Sequence, residues 1–292
     1  MWLICLLACV PAESTGDTVD TGDTVDTVDT AVPDDTGLTP RESRCTHSPA
    51  LVQCAHETVT LEVAGLSRRL HYQVPLGAPP AGGWPTVIFW QGSLVSAAKA
   101  WDATPSERFG GWNEALLLAS LLDAGFAVLA PEAQGEGSTW WDTNIPPFAT
   151  AWESSPDHAL VLALLAGIDA DRWGPLDPGR LYATGLSSGG YMTSRMALSY
   201  PGRFRALAIE SAGWATCGSA GCLMPAALPA GHPPTLLLHG QLDTVVPVWQ
   251  ASVYDSALAR DEVEHALVLD AWAGHGWIDA APAAVSAWFE AH

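Results

Sequence analysis

Short apolar runs alternate along most of this chain with longer stretches whose apolar residues recur at helical spacing. The apolar runs predict strands at 86–90, 127–130, 181–184, 206–210, 235–239 and 266–269. The longer stretches predict helices at 113–124, 156–168, 188–200, 248–260 and 281–291. Such alternation is typical of an α/β fold with a mostly parallel central sheet and helices on both faces. Functional residues are therefore expected beyond the carboxyl ends of the strands.

Two further stretches, at 57–63 and 68–74, alternate apolar and polar residues instead. The turn-forming sequence AGLS separates them. This pattern predicts an antiparallel hairpin at one edge of the sheet. We expect the catalytic domain to span residues 45–292.

The N-terminal part of the chain differs in character. Residues 1–9 are apolar and end in LLAC, which resembles the lipobox of bacterial lipoproteins, whose cysteine, here Cys9, is lipidated after the signal is removed. No Lys or Arg precedes it, so an ordinary secretory signal is the alternative; both predict export, to the cell surface or outer membrane or into the medium. Residues 10–44 repeat TGDTVD and are rich in Asp and Thr, which predicts an extended, disordered tether.

Charge narrows the range of partners. The sequence contains 32 acidic and 12 basic residues, a formal net charge of -20. This excess argues against a nucleic acid or an anionic membrane surface as a partner, leaving membrane contact to the lipid anchor. A neutral or apolar substrate is favoured.

Four cysteines lie beyond the candidate anchor. In an exported protein their spacing suggests two local disulfides, Cys45 with Cys54 and Cys217 with Cys222, although three connectivities are possible. A zinc site is the alternative interpretation, but no histidine pairs at ligand spacing accompany these cysteines. We therefore expect no metal.

The clearest chemical signal is the sequence GLSSG at 185–189, which stands between a predicted strand and a predicted helix. This is the G-x-S-x-G pattern of a nucleophile elbow, in which small residues let the strand reverse sharply into the helix. Ser187 is the predicted nucleophile. The backbone N–H of Ser188 is placed to bind a developing oxyanion.

A serine nucleophile needs a base and an acid that orients the base. His275 lies between two glycines after the last predicted strand, and Asp243 lies in the loop after the strand at 235–239. The order Ser, Asp, His is that of the α/β-hydrolases. His239 is the rival base, and Asp270 and Asp279 are rival acids.

The second oxyanion donor is expected from the loop after the first parallel strand. Many α/β-hydrolases have His-Gly there, whereas this chain has Gln91 and Gly92. The N–H of Ser93 is the candidate donor.

Tryptophan is abundant, with 14 in the chain, and several follow predicted strands where a site would lie. A cluster of them would suit a flat apolar or sugar-like substrate. The candidates for substrate contact are Trp140, Trp141, Trp214 and Trp277.

The sequence GLSSGGYM at 185–192, the aspartate after His239-Gly240 and the sequence GHG at 274–276 together carry a specific resemblance. They resemble the secreted polyhydroxybutyrate depolymerase and feruloyl or acetylxylan esterase group, over about residues 55–292. The resemblance implies an α/β-hydrolase fold and ester hydrolysis through an acyl-serine, without metal or organic cofactor. Its members act on polyesters, on feruloylated or acetylated glycans, and on small esters. A serine peptidase of the same fold and a non-catalytic glycan-binding lipoprotein are the alternatives.

Overall fold

The computed structural model describes residues 44–133, 140–218 and 221–292; the predicted anchor at Cys9 and the predicted tether lie outside this range. In chain order the strands are β1 (Cys45–Ser48), β2 (Leu51–Cys54), β3 (Glu57–Val63), β4 (Leu66–Gln73), β5 (Trp84–Trp90), β6 (Asp102–Ala103), β7 (Ala127–Pro131), β8 (Leu176–Leu186), β9 (Ala206–Glu210), β10 (Thr235–Gly240) and β11 (His265–Asp270). The α-helices are α1 (Gly111–Asp123), α2 (Pro156–Asp169), α3 (Ser188–Ser199), α4 (Trp249–Arg260) and α5 (Ala281–Ala291).

Eight strands form the central sheet, in the spatial order β11-β10-β9-β8-β5-β7-β4-β3. The six strands from β11 to β7 run parallel to one another. The hairpin of β3 and β4 completes the sheet, with β4 antiparallel to β7. The predicted mostly parallel α/β architecture is therefore confirmed, with the hairpin at one edge.

Helices cover both faces of this sheet. Alternate residues of β5 show the two layers, because successive side chains of a strand point to opposite faces. Ile88 and Trp90 join the core beneath α2, α3 and α4, whereas Val87 and Phe89 join the core beneath α1 and α5. A central strand buried on both sides is nearly continuously apolar, and β5 has four consecutive apolar residues, Val87 to Trp90.

The buried arginine Arg68 links β4 to α2 and to the segment that follows β7. Arg68 on β4 donates from Nη1 to the Asp157 carboxylate on α2, at 2.9 Å. Its Nε and Nη2 donate to the carbonyl oxygen of Glu132, just after β7, at 3.2 and 3.0 Å. The start of α2 is fixed further because the Ser155 hydroxyl accepts the N–H of Asp157 at 3.0 Å. The loop after β7 therefore leaves the sheet from a rigid base.

A small second sheet was not predicted. Its three strands lie in the order β1-β2-β6, all antiparallel, and Cys45 pairs with Cys54 across its first hairpin. Strands of four, four and two residues are too short to give a clear alternation of apolar and polar positions. None of the helices in the described ranges is both long and apolar enough to cross a membrane.

The turn from β8 into α3 is pressed against the end of β5. A Cβ atom at Gly185 would lie 2.5 Å from the carbonyl oxygen of Trp90, and one at Gly189 would lie 2.1 Å from the same atom. At Gly190 a Cβ atom would lie 2.6 Å from the Cβ of Ala212. No side chain fits at these three positions without moving backbone, so glycine is required there.

We expect Gly189→Ala to lower the free energy of unfolding by about 3 kcal/mol or more, because its methyl group would collide with the backbone of β5. Gly218→Ala is the matched control, since its nearest neighbour would lie 4.0 Å away. The control should change stability by less than about 0.5 kcal/mol. Urea unfolding followed by circular dichroism measures both, and equal effects of the two variants would contradict the packing argument.

Candidate active site

Ser187 occupies the tip of the turn between β8 and α3. Its backbone angles are φ 56° and ψ -118°, a strained conformation for a residue other than glycine. The turn is held because the Ser187 N–H donates to the carbonyl oxygen of Glu210 at 2.9 Å and the Tyr191 N–H donates to that of Ser187 at 3.0 Å. Ser188 is the first residue of α3, so its N–H is among those without an acceptor inside the helix. The local geometry is that of a nucleophile elbow.

The structure brings together Asp243 and His275. His275 Nδ1 donates to Asp243 Oδ2 at 2.7 Å, and the other carboxylate oxygen accepts the N–H groups of Val245 and Val246, each at 2.8 Å. Burial, the largest single influence, raises the pKa of Asp243, but hydrogen bonds from His239, His275 and Val246 outweigh it and hold this pKa well below its usual range. An ionised Asp243 therefore orients the imidazole of His275.

The rival residues are engaged elsewhere. His239 is fully buried and its Nε2 donates to the carbonyl oxygen of Val246 at 2.8 Å, with Asp243 Oδ2 at 3.4 Å. Asp270 accepts the N–H groups that follow it in its own loop, and Asp279 accepts the side-chain amide of Asn113 at 2.9 Å. Of the three aspartates considered, Asp243 is the one that accepts the hydrogen bond from His275.

Glu210 joins the nucleophile turn to the base loop. Its backbone carbonyl accepts the Ser187 N–H, and its side chain accepts the Ile278 N–H at 3.5 Å. The next residue, Ser211, donates its hydroxyl to the carbonyl oxygen of Gly276 at 3.2 Å. Glu210 was not predicted from the sequence, because a single acid at the end of a predicted strand belongs to no motif.

The Glu210 side chain is fully buried. Burial is the largest influence and raises the pKa of its carboxyl well above the usual range; hydrogen bonds from Ile278 and Ser211 lower it, and the charges of Asp243 and Asp270 raise it. Burial thus shifts the ionisation of Glu210 to higher pH than that of a free glutamate.

The base loop is also packed against the segment before α1. Gly276 has φ 154°, and a Cβ atom there would lie 2.5 Å from the carbonyl carbon of Phe109. The Trp277 N–H donates to the Phe109 carbonyl oxygen at 2.9 Å. The ring of Phe109 meets that of His275 edge-on, with centroids 6.0 Å apart. The imidazole is thus held by packing as well as by Asp243.

The loop that contains Ser93 is ordered by one side chain. Gln91 is buried; its Oε1 accepts the N–H groups of Ala97 at 3.2 Å and Ala133 at 3.1 Å, and its Nε2 donates to the carbonyl oxygen of Val95 at 2.6 Å. These bonds close the loop on itself and fasten it to the end of β7. The glutamine that replaces the common histidine therefore shapes the loop that presents the half-buried Ser93.

The tryptophan prediction requires correction for three of its four residues. Trp141, Trp214 and Trp277 are buried and do not offer a surface to substrate. Each has a partner in the core: Trp141 donates to the carbonyl oxygen of Gln91 at 2.9 Å, Trp214 packs against Tyr254, and Trp277 stacks on Phe89. These three side chains therefore point into the core and not towards a substrate.

Exposed tryptophans lie elsewhere near the site. Trp140 is half exposed, as predicted for a contact residue, and two further exposed tryptophans are Trp249 and Trp272. A position two residues after a strand could have indicated Trp272, but exposure cannot be deduced from sequence. The tryptophans available for contact therefore differ from those predicted.

The remaining cysteines pair locally, Cys45 with Cys54 and Cys217 with Cys222, as the sequence suggested. Within the described ranges no group of three or more His, Cys, Asp or Glu side chains is arranged to hold a metal ion.

A cavity of about 280 Å³ lies between the acid loop and the first turns of α3 and α4. Apolar side chains Val245, Val246 and Pro247 line one part of it, together with Tyr191 and Trp249. A larger cavity of about 820 Å³ is lined by residues of 149–158, α3 and 214–225. Neither cavity is lined by Ser187, Asp243 or His275.

Fold and site together define an α/β-hydrolase. Solved structures that resemble the chain include a thermostable esterase, 20% identical with a TM-score of 0.51 over 81% of this chain and 59% of that chain. Another is MGS-M1, an α/β-hydrolase enzyme from a Medee basin deep-sea metagenome library, 15% identical with a TM-score of 0.54 over 84% of this chain and 96% of that chain. The chain thus spans 59% of the length of that thermostable esterase.

Sequence relatives define the class further. Residues 224–291 match the prolyl oligopeptidase family. A poly(3-hydroxyoctanoate) depolymerase of Pseudomonas fluorescens is 45% identical over 258 residues, which are 86% of this chain and 91% of that protein. The chain belongs to the family of this depolymerase, and it is a serine ester hydrolase.

We expect Gln91→Ala to lower kcat by about tenfold or more with little change in KM, because the loop that carries the Ser93 N–H would lose its internal hydrogen bonds. Gln53→Ala, an exposed glutamine on β2, is the control. Steady-state kinetics with a soluble p-nitrophenyl ester measures the effect. An unchanged kcat would show that Gln91 does not position this loop.

The raised pKa of Glu210 predicts that the stability of the parent protein and that of a Glu210→Gln variant depend differently on pH. The folded protein keeps a proton there that the unfolded chain releases above about pH 4.5, so ionisation progressively lowers the free energy of unfolding as pH rises. Glu210→Gln cannot ionise, and its stability relative to the parent should increase by up to about 1.4 kcal/mol per pH unit above that value. Urea unfolding at about pH 5 and about pH 8 tests this; parallel pH dependences would contradict it.

Proposed function

We propose that this protein hydrolyses polyesters of 3-hydroxyalkanoic acids through an acyl-serine intermediate. The observation that carries the proposal is the hydrogen bond between Asp243 and His275 at the strand ends beside the elbow of Ser187, in a chain 45% identical to a polyester depolymerase. The sequence motif supports Ser187 as the nucleophile, and the hydrogen bond supports His275 as the base and Asp243 as the orienting acid.

In this mechanism Ser187 Oγ attacks the ester carbonyl carbon while His275 Nε2 takes the hydroxyl proton. The negative charge that develops on the carbonyl oxygen is held by the N–H groups of Ser188 and Ser93. The C–O bond then breaks, and His275 returns the proton to the leaving alkoxide. Water, deprotonated by the same imidazole, attacks the acyl carbon; the bond from this carbon to Ser187 Oγ then breaks, His275 returns the proton to that oxygen, and the hydroxy acid is released. Asp243 stays ionised throughout, in keeping with its lowered pKa.

The cavity beside the acid loop supports a substrate with an apolar side group. Its volume is about 280 Å³, and the part of it lined by Val245, Val246 and Pro247 suits the alkyl group that branches from each unit of such a polyester, while Asn144 and Gln250 line another part. Feruloylated or acetylated glycans are less well supported, because three of the four tryptophans expected to form a sugar-like platform are buried. The prolyl oligopeptidase match covers the acid and base loops, which peptidases and esterases of this fold share.

We also propose that the protein is exported and that residues 45–292 form its catalytic domain, with a tether at 10–44. The two cysteine pairs support export, since disulfides persist in oxidising compartments. Attachment through a lipidated Cys9 is the form of export that the LLAC sequence favours.

We expect Ser187→Ala to lower the hydrolysis of both p-nitrophenyl butyrate and poly(3-hydroxyoctanoate) by at least about 10⁴-fold, because the acyl-serine cannot form. Ser256→Ala, which removes an exposed hydroxyl on α4, is the control and should retain activity. Release of nitrophenol and of hydroxy acid are measured separately. Activity retained in the Ser187 variant would refute the mechanism, and hydrolysis of the small ester without the polyester in the parent would refute the substrate.

A further inference from the structure

The exposed apolar side chains of this protein are concentrated around the proposed site. The described part of the chain exposes ten large hydrophobic residues, and six of them lie within nine residues after the carboxyl end of a parallel strand. We name these six the apolar rim: Leu94, Trp140, Leu242, Val245, Trp249 and Trp272.

The order of the strands places the apolar rim on both sides of the nucleophile. Ser187 follows β8, which lies near the middle of the sheet. On one side of β8, Leu242 follows β10, which is two strands away, and Trp272 follows β11, the next strand beyond it. Leu94 follows β5 and Trp140 follows β7, the two strands next to β8 on the other side. Residues of the apolar rim therefore follow strands on both sides of β8, the strand that leads to Ser187.

The loops beneath the apolar rim are held together by hydrogen bonds. Asp270 Oδ1 accepts the N–H of Trp272 at 2.8 Å, and the Leu242 N–H donates to the carbonyl oxygen of Ala273 at 3.0 Å. On the other side, the indole N–H of Trp141 donates to the carbonyl oxygen of Gln91. The chain next to Trp140 is therefore fastened to the loop that contains Leu94. The backbone is thus fixed while Trp272, with 86% of its surface exposed, points into solvent.

Exposure of clustered apolar groups is unfavourable in water and marks surfaces that contact another body. The excess of acidic residues, 32 against 12 basic, repels an anionic surface but not an uncharged one. A relative of this chain depolymerises poly(3-hydroxyoctanoate). A water-insoluble, uncharged aliphatic polyester offers the chemistry that the apolar rim would contact.

We propose that the apolar rim is the surface by which this protein adsorbs to solid aliphatic polyester, with Ser187 facing the polymer. The proposal rests on the proposed function and adds to it the way in which the enzyme meets its substrate. Tryptophan side chains lie against the polymer on either side of the nucleophile, so that a chain at the solid surface reaches the serine directly.

Binding is tested in a Ser187→Ala background, which leaves the polymer intact. Trp272→Ser and Trp140→Ser should each weaken binding to poly(3-hydroxyoctanoate) particles by about tenfold, and the double variant by about a hundredfold. Leu162→Ser, which removes an exposed leucine from α2, is the matched control and should bind as before. Melting temperatures verify that each variant is folded.

In the active protein, the same two rim substitutions should reduce degradation of a polyester film by a larger factor than they reduce kcat/KM for p-nitrophenyl butyrate, because a soluble ester does not require adsorption. Unchanged adsorption of the double variant, or equal losses in the Leu162 control, would overturn the proposal. Rim-dependent binding to phosphatidylcholine vesicles but not to polyester would assign the surface to lipid. If sedimentation shows dimers that are lost in the rim variants, and the protein does not bind polyester, the apolar rim would be assigned to contact with a second copy of the chain.

Adsorption and turnover are measured on different proteins, so the two proposals fail separately. Rim-dependent adsorption without release of hydroxy acid by the parent would overturn the polyester function and leave the docking surface standing. If the parent hydrolyses polyester and the substitutions at Trp140 and Trp272 do not change that rate, the polyester function stands and the docking surface is overturned.

Discussion

The backbone at the end of β5 and the turn from β8 into α3 lie so close together that no Cβ atom fits between them. The carbonyl oxygen of Trp90 occupies the space that side chains at positions 185 and 189 would need. This contact fixes the point at which the chain reverses and therefore where Ser187 projects. It also sets the loop that starts at Gln91 beside the start of α3. The two proposed oxyanion donors come from opposite sides of this contact, so their separation depends on it.

Two carboxyl groups near the turn are pushed towards opposite protonation states. Asp243 receives short hydrogen bonds from two backbone N–H groups and from His275, which favour its charged form despite burial. Glu210 accepts only the longer bonds from Ser211 and Ile278, so burial determines its state. Paired acids whose environments separate their pKa values are a recurrent arrangement in enzyme sites.

The elbow, its partners and the sheet were predictable because each depends on local pattern: small residues at the turn, apolar strands at regular intervals, and polar residues just after strands. The orientation of the tryptophans was not predictable. Trp140 and Trp141 are adjacent in sequence, yet one is half exposed and the other fully buried, because the loop turns between them. Gln91 and Glu210 were missed or undervalued because their importance lies in hydrogen bonds to distant segments.

Leu94 combines two features that are individually unfavourable. Its φ of 66° lies in the left-handed region, which strains a leucine, and its side chain is largely exposed to water. Glycine or asparagine at this position would relieve the strain and remove the apolar surface together. A search for thermostable variants would therefore favour replacement of Leu94, and the same substitution would shrink the surface next to the proposed oxyanion donor. Heat resistance and the proposed adsorption to solid polyester are thus opposed at Leu94.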